Sequence, residues 1–410
     1  MNPRLADPSS ALSERVKPDR DVLILALLLA FPSTGFVQKY AGLAGVVGYG
    51  VLVIAVVHLA AIFWRRFAPW LRSHFRRVAA LVILGLAAGF VVLHPFEDNR
   101  GPGKSSDRDE GLEIAVTRMA HGETPYYPSN PVAGPLSVLP GSMFLAAPFV
   151  ALGNSGYQNI FWLAVFLFAA CGSFKDKALA LYLLIVPLAL SIAAQYEIVS
   201  GGDLIANGIF VAIFFLIALQ KWTPGSHPCW QRWLACVLLG VGLASRANFI
   251  LLVPLFSAAV WRLAGWRNAI AATSLIVLTI GLITLPFYFH DPAGFTPLLT
   301  RQKLAGADHA LPWASTAMTG STVLAAMLGA WILWRHEGGE TIPLFFRCCT
   351  WVTLTPIIAA VLFSSWINGF PDFSFLRDRF GLMYVFFAIF GWGGLLLSGS
   401  GKSSPQVARF

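Results

Sequence analysis

Apolar residues fill long unbroken runs along this chain, at 41–64, 78–95, 178–195, 204–220, 268–288, 316–334, 348–367 and 380–398. Each approaches the ~20 residues that carry a helix across a ~30 Å hydrocarbon core. Backbone polar groups find no water there, so runs of this kind predict helices. The two-residue alternation of a membrane barrel strand is absent. Shorter apolar runs at 22–37, 158–172, 233–245 and 247–261 bring the expected number of crossings to about 12. The fold class expected is all-α, a polytopic membrane protein.

Lys and Arg orient the crossings. Basic clusters at Arg65, Arg66, Arg72, Arg76 and Arg77, at Lys221 with Arg232, at Arg262 with Arg267, and at Arg335 with Arg347 mark cytoplasmic loops. The polar stretch 96–134 is then the first large outer loop, followed by outer loops at 196–203, 289–315 and 368–380. Four apolar candidates lie between that first loop and Lys221, yet an odd number of crossings is needed to return inside. The run 135–152 carries Pro135, Pro140 and Pro148. It is read as an interfacial or re-entrant helix that does not cross. The expected organisation is a cytoplasmic tail over 1–21, one transmembrane domain over 22–398 with interfacial helices in 96–157, and a cytoplasmic tail over 399–410. Residues 1–21 hold four basic and four acidic residues and no clear cleavage site follows, so they do not read as a signal peptide. The location expected is the inner cell membrane with both termini cytoplasmic.

Composition agrees with this reading. The chain is 57% hydrophobic and 12% charged, about half the charge of a soluble domain. Its net charge of +9 is a topology signal before it is a nucleic-acid signal, because no basic and aromatic interleaving accompanies it. The five cysteines fall near the cytoplasmic side, where disulfides are not expected.

Candidate chemistry is concentrated in the first outer loop. Asp107, Asp109 and Glu110 precede an amphipathic stretch over 111–120 that Gly122 ends. Pro125-Tyr126 follows, and then the proline-rich segment from Pro135 to Pro140. In this order the segment resembles the GT-C glycosyltransferases, multi-span enzymes that take sugars from polyprenyl-phosphate donors. Weaker likenesses are Gln195 to Asp203, Gly240 to Arg246, and Leu285 to Phe295, so the resemblance covers roughly 78–300. More spans precede the acidic loop than the one that the family commonly has. The resemblance implies a GT-C-like fold with surface helices in the first outer loop. It also implies transfer of a sugar from a lipid-linked donor to an acceptor on the outer side.

Inverting transfer needs one carboxylate to deprotonate or orient the acceptor hydroxyl, and the phosphate leaves without a general acid. Asp109 is the first candidate, with Glu110 and Asp203 as further acidic candidates. Against this stands a solvated loop charge for Asp109 and a helix cap for Asp203. Arg246 lies between two apolar runs, either snorkelling or binding the donor phosphate as a bidentate fork. Arg301, Lys303, Arg377 and Arg379 are further outer cations for phosphate, and Tyr126 is a substrate-binding candidate from the turn motif. Asp107 and Asp109 form an Asp-x-Asp pair of the oxygen type that Mg²⁺ or Mn²⁺ prefers. Two carboxylates by themselves leave the cation open. The expected partners are the lipid-linked donor, an acceptor of unread class and membrane lipids, without nucleic acid. A transporter or lipid flippase, and an inactive GT-C-like protein, remain the alternative readings.

Overall fold

The structure, a computed structural model, describes residues 20–98, 106–127, 135–223, 228–298, 312–338 and 340–394. The described chain is helical throughout, with no strand. Among the described residues eight helices are long and apolar enough to cross a membrane, or nine if one bent pair counts as a span. Large apolar side chains such as Leu81, Leu84, Phe168, Leu282, Phe289 and Trp366 are exposed on the outside. Such a surface suits lipid and would aggregate in water.

The chain begins with α1 (Arg20–Ala30), a 3₁₀ turn (Phe31–Ser33) and α2 (Thr34–Ser73). Inside α2, Gly42 has φ 64° and ψ −167°, a region open to glycine and closed to other residues. The chain folds back there. Ser33 Oγ lies 3.0 Å from Ser191 Oγ, and the Tyr49 hydroxyl donates to the Leu190 carbonyl at 2.8 Å. In one straight helix Ser33 and Tyr49 would be ~24 Å apart and would not meet adjacent residues.

Helix α3 (Phe75–Asp98) runs past the apolar run that predicts it. Helix α4 (Arg108–Ala120) starts three residues before the amphipathic stretch, which puts Asp109 and Glu110 in its first turn. Helix α5 (Pro140–Ala151) has proline at its first position, where no N–H is needed. Its 12 residues span about 18 Å, short of the hydrocarbon core. Its start is strapped to α10 (Cys229–Leu243): Leu139 N donates to Ser245 O at 2.9 Å and Gly141 N to Ala244 O at 2.8 Å.

Helices α6 (Tyr157–Phe174) and α7 (Lys177–Leu190) are antiparallel neighbours, with the Asp176 carboxylate accepting from Ala178 N at 2.9 Å to cap α7. At Ser191 the chain turns through 87° into α8 (Ile192–Val199). The outer loop expected over 196–203 is therefore corrected: its first half is helix, and it brings Glu197 inward. Helix α9 (Leu204–Trp222) is the centre of the molecule, buried along almost its whole length. Around it stand α10, the short α11 (Ala247–Ile250), α12 (Val253–Ala264), α13 (Trp266–His290), α14 (Ala314–Arg335), α15 (Thr341–Asn368) and α16 (Leu382–Trp392). Phe210 and Phe215 of α9, Phe345 and Phe346 of α15 and Phe387 of α16 fill the core. A smaller apolar cluster under α4 and α5 holds Leu112, Ala115, Tyr126, Met143 and Phe295.

Candidate active site

Several helix ends meet in one buried polar layer: the last turn of α3, the first turn of α4, α8, the start of α9, the break after α10 and the segment before α16. Ionisable groups taken out of water cost free energy unless they are paired, and this layer pairs most of its own.

Asp109 is 4% exposed. Its Oδ2 lies 3.6 Å from His94 Nε2, and its Oδ1 is buried with no hydrogen-bond partner among the described residues. Burial, with Glu110 and Glu113 adding negative charge nearby, pushes its carboxyl up to about 8. Room for the carboxylate comes from Gly201, at φ 67°: a Cβ there would sit 2.9 Å from Asp109 Oδ2. His94 is held in turn, with Nδ1 3.0 Å from the Val199 carbonyl and Nε2 3.0 Å from Asn154 Nδ2. The neighbouring Glu110 faces the end of α3. Burial first and a hydrogen bond with Asp98 second raise its carboxyl.

Three arginines enter the layer. Arg246 places Nη2 2.6 Å from both carboxylate oxygens of Asp203, and Asn207 Nδ2 donates to the same group at 2.7 Å. Burial works against the Asp203 carboxylate, but Arg246 outweighs it and holds the group below its ordinary range. Arg379 places Nε 3.0 Å from Glu197 Oε2, near enough for an ion pair though not aligned as a hydrogen bond. It also donates to Ser200 Oγ at 2.7 Å and Ser106 Oγ at 2.8 Å, and lies over the Tyr196 ring. Glu197 is wholly buried, and its Oε1 accepts from Leu204 N at 2.7 Å at the start of α9. Arg108 donates to the Asp378 carbonyl at 2.7 Å and stacks on Phe380. It is half-buried as a residue, but its guanidinium is enclosed, and burial lowers its pKa against the attraction of Glu197. Three buried guanidinium nitrogens in this layer, Arg108 Nη1, Arg246 Nε and Arg379 Nε, have no hydrogen-bond partner among the described residues.

The structure thus brings together Asp109, Asp203, Arg246 and Arg379 of the residues singled out from sequence. Among the described residues, Tyr126 and Arg377 stand apart from it. Tyr126 sits in the smaller apolar cluster against Phe287 and Phe295, with its hydroxyl donating to Val138 O at 3.2 Å. That is a packing role, not a place in the polar layer. Arg377 is exposed, and Arg301 and Lys303 lie outside the described residues. Asp107 is exposed while Asp109 is buried. Among the described residues no group of three or more metal-ligating side chains occurs. Sequence reasoning missed His94, Glu97, Arg108 and the depth of Glu197. A polar side chain at the last turn of an apolar run was the available signal for His94 and Glu97. Arg108 read as one more charge in a charged loop.

No family model, no curated protein and no solved structure matches this chain.

Proposed function

We propose that this chain is a membrane glycosyltransferase of the GT-C type. In this reading it moves a sugar from a polyprenyl-phosphate donor to an acceptor at the outer face of the inner membrane. The observation that carries the reading is Asp109: a buried carboxyl with one oxygen unpartnered among the described residues, in a layer where the buried Arg108 Nη1 and Arg246 Nε are likewise unpartnered. A base and an anion-binding surface are the two parts that inverting transfer from a phosphate requires.

The roles follow from the positions. Asp109 Oδ1 takes the proton of the acceptor hydroxyl as that oxygen attacks the anomeric carbon. Arg108 Nη1 and Arg246 Nε face the leaving phosphate as charge-assisted donors. Asp203 and Glu197 hold Arg246 and Arg379 in place. The reading takes about twelve crossings. The helix that doubles back at Gly42 counts twice, and the bent pair at Ser191 once. The shorter apolar helices Cys229–Leu243 and Leu382–Trp392 are counted as two further spans. The polar layer then lies at the outer ends of the helices, where a lipid-linked donor presents its phosphate. A flippase would place such groups along a path through the middle.

The test is turnover by purified protein in vesicles, offered a panel of polyprenyl-phosphate sugars and hydroxyl acceptors. Asp109→Asn keeps the size but cannot take a proton, so it binds donor and loses roughly 10²–10⁴-fold in transfer. Donor moved across the bilayer without transfer, or full activity in Asp109→Asn, overturns the reading.

A further inference from the structure

A buried base has to dispose of its own proton before it can take another. Burial carries the Asp109 carboxyl up to about 8, which on its own leaves the group protonated at neutral pH and unable to act. The nearest group able to take that proton is His94, and its geometry is built rather than incidental. The Val199 carbonyl can only accept, so His94 Nδ1 carries a hydrogen. Asn154 Oδ1 accepts from Gly156 N at 2.7 Å, which fixes the amide with Nδ2 toward His94 Nε2 at 3.0 Å. The Phe90 ring stacks on the imidazole at 4.7 Å. The Nε2 lone pair therefore lies between Asn154 and Asp109 Oδ2, the latter 3.6 Å away.

We propose that His94 and Asp109 hold one proton between them, and that Asn154 sets on which of the two it rests. With the proton on Asp109, neutral His94 accepts from Asn154. With the proton on His94, Asn154 releases Nε2, the imidazolium N–H turns to Asp109 Oδ2, and Asp109 is a carboxylate ready to act. His94 is thus a positioning residue for the base, a role that rests on the glycosyl-transfer reading. In the reaction the acceptor O–H proton passes to Asp109 as the new bond to the anomeric carbon forms. The bond from that carbon to the phosphate oxygen breaks, with the electron pair leaving on phosphate. One proton then leaves to solvent and restores the pair.

Other charges face the pair. On α4 itself they are Glu110 and Glu113, and at the end of α3 they are Glu97 and Asp98. Across the layer stand Arg108 and the ion pairs of Glu197 with Arg379 and Asp203 with Arg246. These act on Asp109 alike in the variants below, so differences among them report on His94 and Asn154.

The experiment is pH-difference infrared spectroscopy of the purified full chain in lipid discs, without substrate. The Asp109 signal is the protonated-carboxyl band that vanishes in Asp109→Asn. His94→Gln keeps a polar group near Val199 O but cannot hold the extra proton, so its Asp109 midpoint lies at least one pH unit above that of wild type. Asn154→Ala frees Nε2 and moves the midpoint down. Equal midpoints in wild type and His94→Gln, or an upward shift in Asn154→Ala, overturn the proposal. Thermal stability of each variant, measured at one pH, separates loss of fold from loss of coupling. Failure of the enzyme reading would show instead as full transfer by Asp109→Asn, whatever the infrared midpoints.

Discussion

Arg246 and Asp203 are each nearly buried and each the main partner of the other, so neither can be removed alone without leaving a charge behind. Arg246→Met strands the Asp203 carboxylate with Asn207 as its remaining side-chain donor. Asp203→Asn strands the guanidinium, with Nε already unpartnered. Each single change should cost about 3–5 kcal/mol. The double variant buries no charge, and Asn at 203 can still bond Asn207. It should fall within about 1 kcal/mol of wild type, a coupling of roughly 3 kcal/mol or more. Equilibrium unfolding in mixed micelles, followed by tryptophan fluorescence, measures the four stabilities. The same four proteins then go into the transfer assay. The double variant is folded but lacks one charge-assisted donor to phosphate, so its kcat/KM for donor should fall roughly ten- to a hundredfold. Additive single costs would refute the claim that the pair is desolvated. Full donor use by the stable double variant would refute a phosphate role for Arg246.

Gly201→Ala combines an adverse φ with a Cβ 2.9 Å from Asp109 Oδ2, so it should cost about 1–2 kcal/mol and displace the carboxylate. Transfer should drop at least tenfold with donor binding little changed, read from kcat and KM separately. Because burial raises Asp109, its protonated form stabilises the fold. That contribution is fully present below about pH 4 and is lost as pH rises through the folded value, toward about 8. Asp109→Asn is neutral throughout and should remove this alkaline loss in unfolding curves across pH. For orientation, a cysteine placed at Phe370, exposed beyond α15, should react with an impermeant thiol reagent from outside. One placed at Ser73 should not. Reaction at Ser73 alone would invert the topology.

Much of the fold was legible because lipid imposes one rule along the chain. A run of apolar residues fixes a helix without help from distant contacts, and prolines 140 and 148 marked the segment that the structure makes 12 residues long. Gly42 was invisible, since a glycine inside an apolar run looks the same whether the chain passes straight or doubles back. The site was legible in part. Asp109 stood out through the ordered pattern of the first polar loop, and Arg246 as a charge between two apolar runs. Their partners did not, because an ion pair such as Arg379 with Glu197 is a contact between distant helix ends and leaves no local pattern. Glu197 looked like a loop residue until the bend at Ser191 turned its helix inward. Tyr126 failed for the opposite reason: a motif tyrosine whose hydroxyl and ring both serve packing.

The pairing of Glu197 with Arg379 also sets an order for biogenesis. The carboxylate leaves the ribosome about 180 residues before its cation. At 5–20 residues per second that is a wait of roughly 10–40 s. During that interval the partial bundle holds an acidic side chain in its interior without the arginine that forms its ion pair. A nascent chain at this stage is a recognisable target for membrane quality control, and it ceases to be one when the segment that carries Arg379 docks. Chains truncated before Arg379 should therefore insert most of their helices and still be degraded, although every apolar run up to that point is intact.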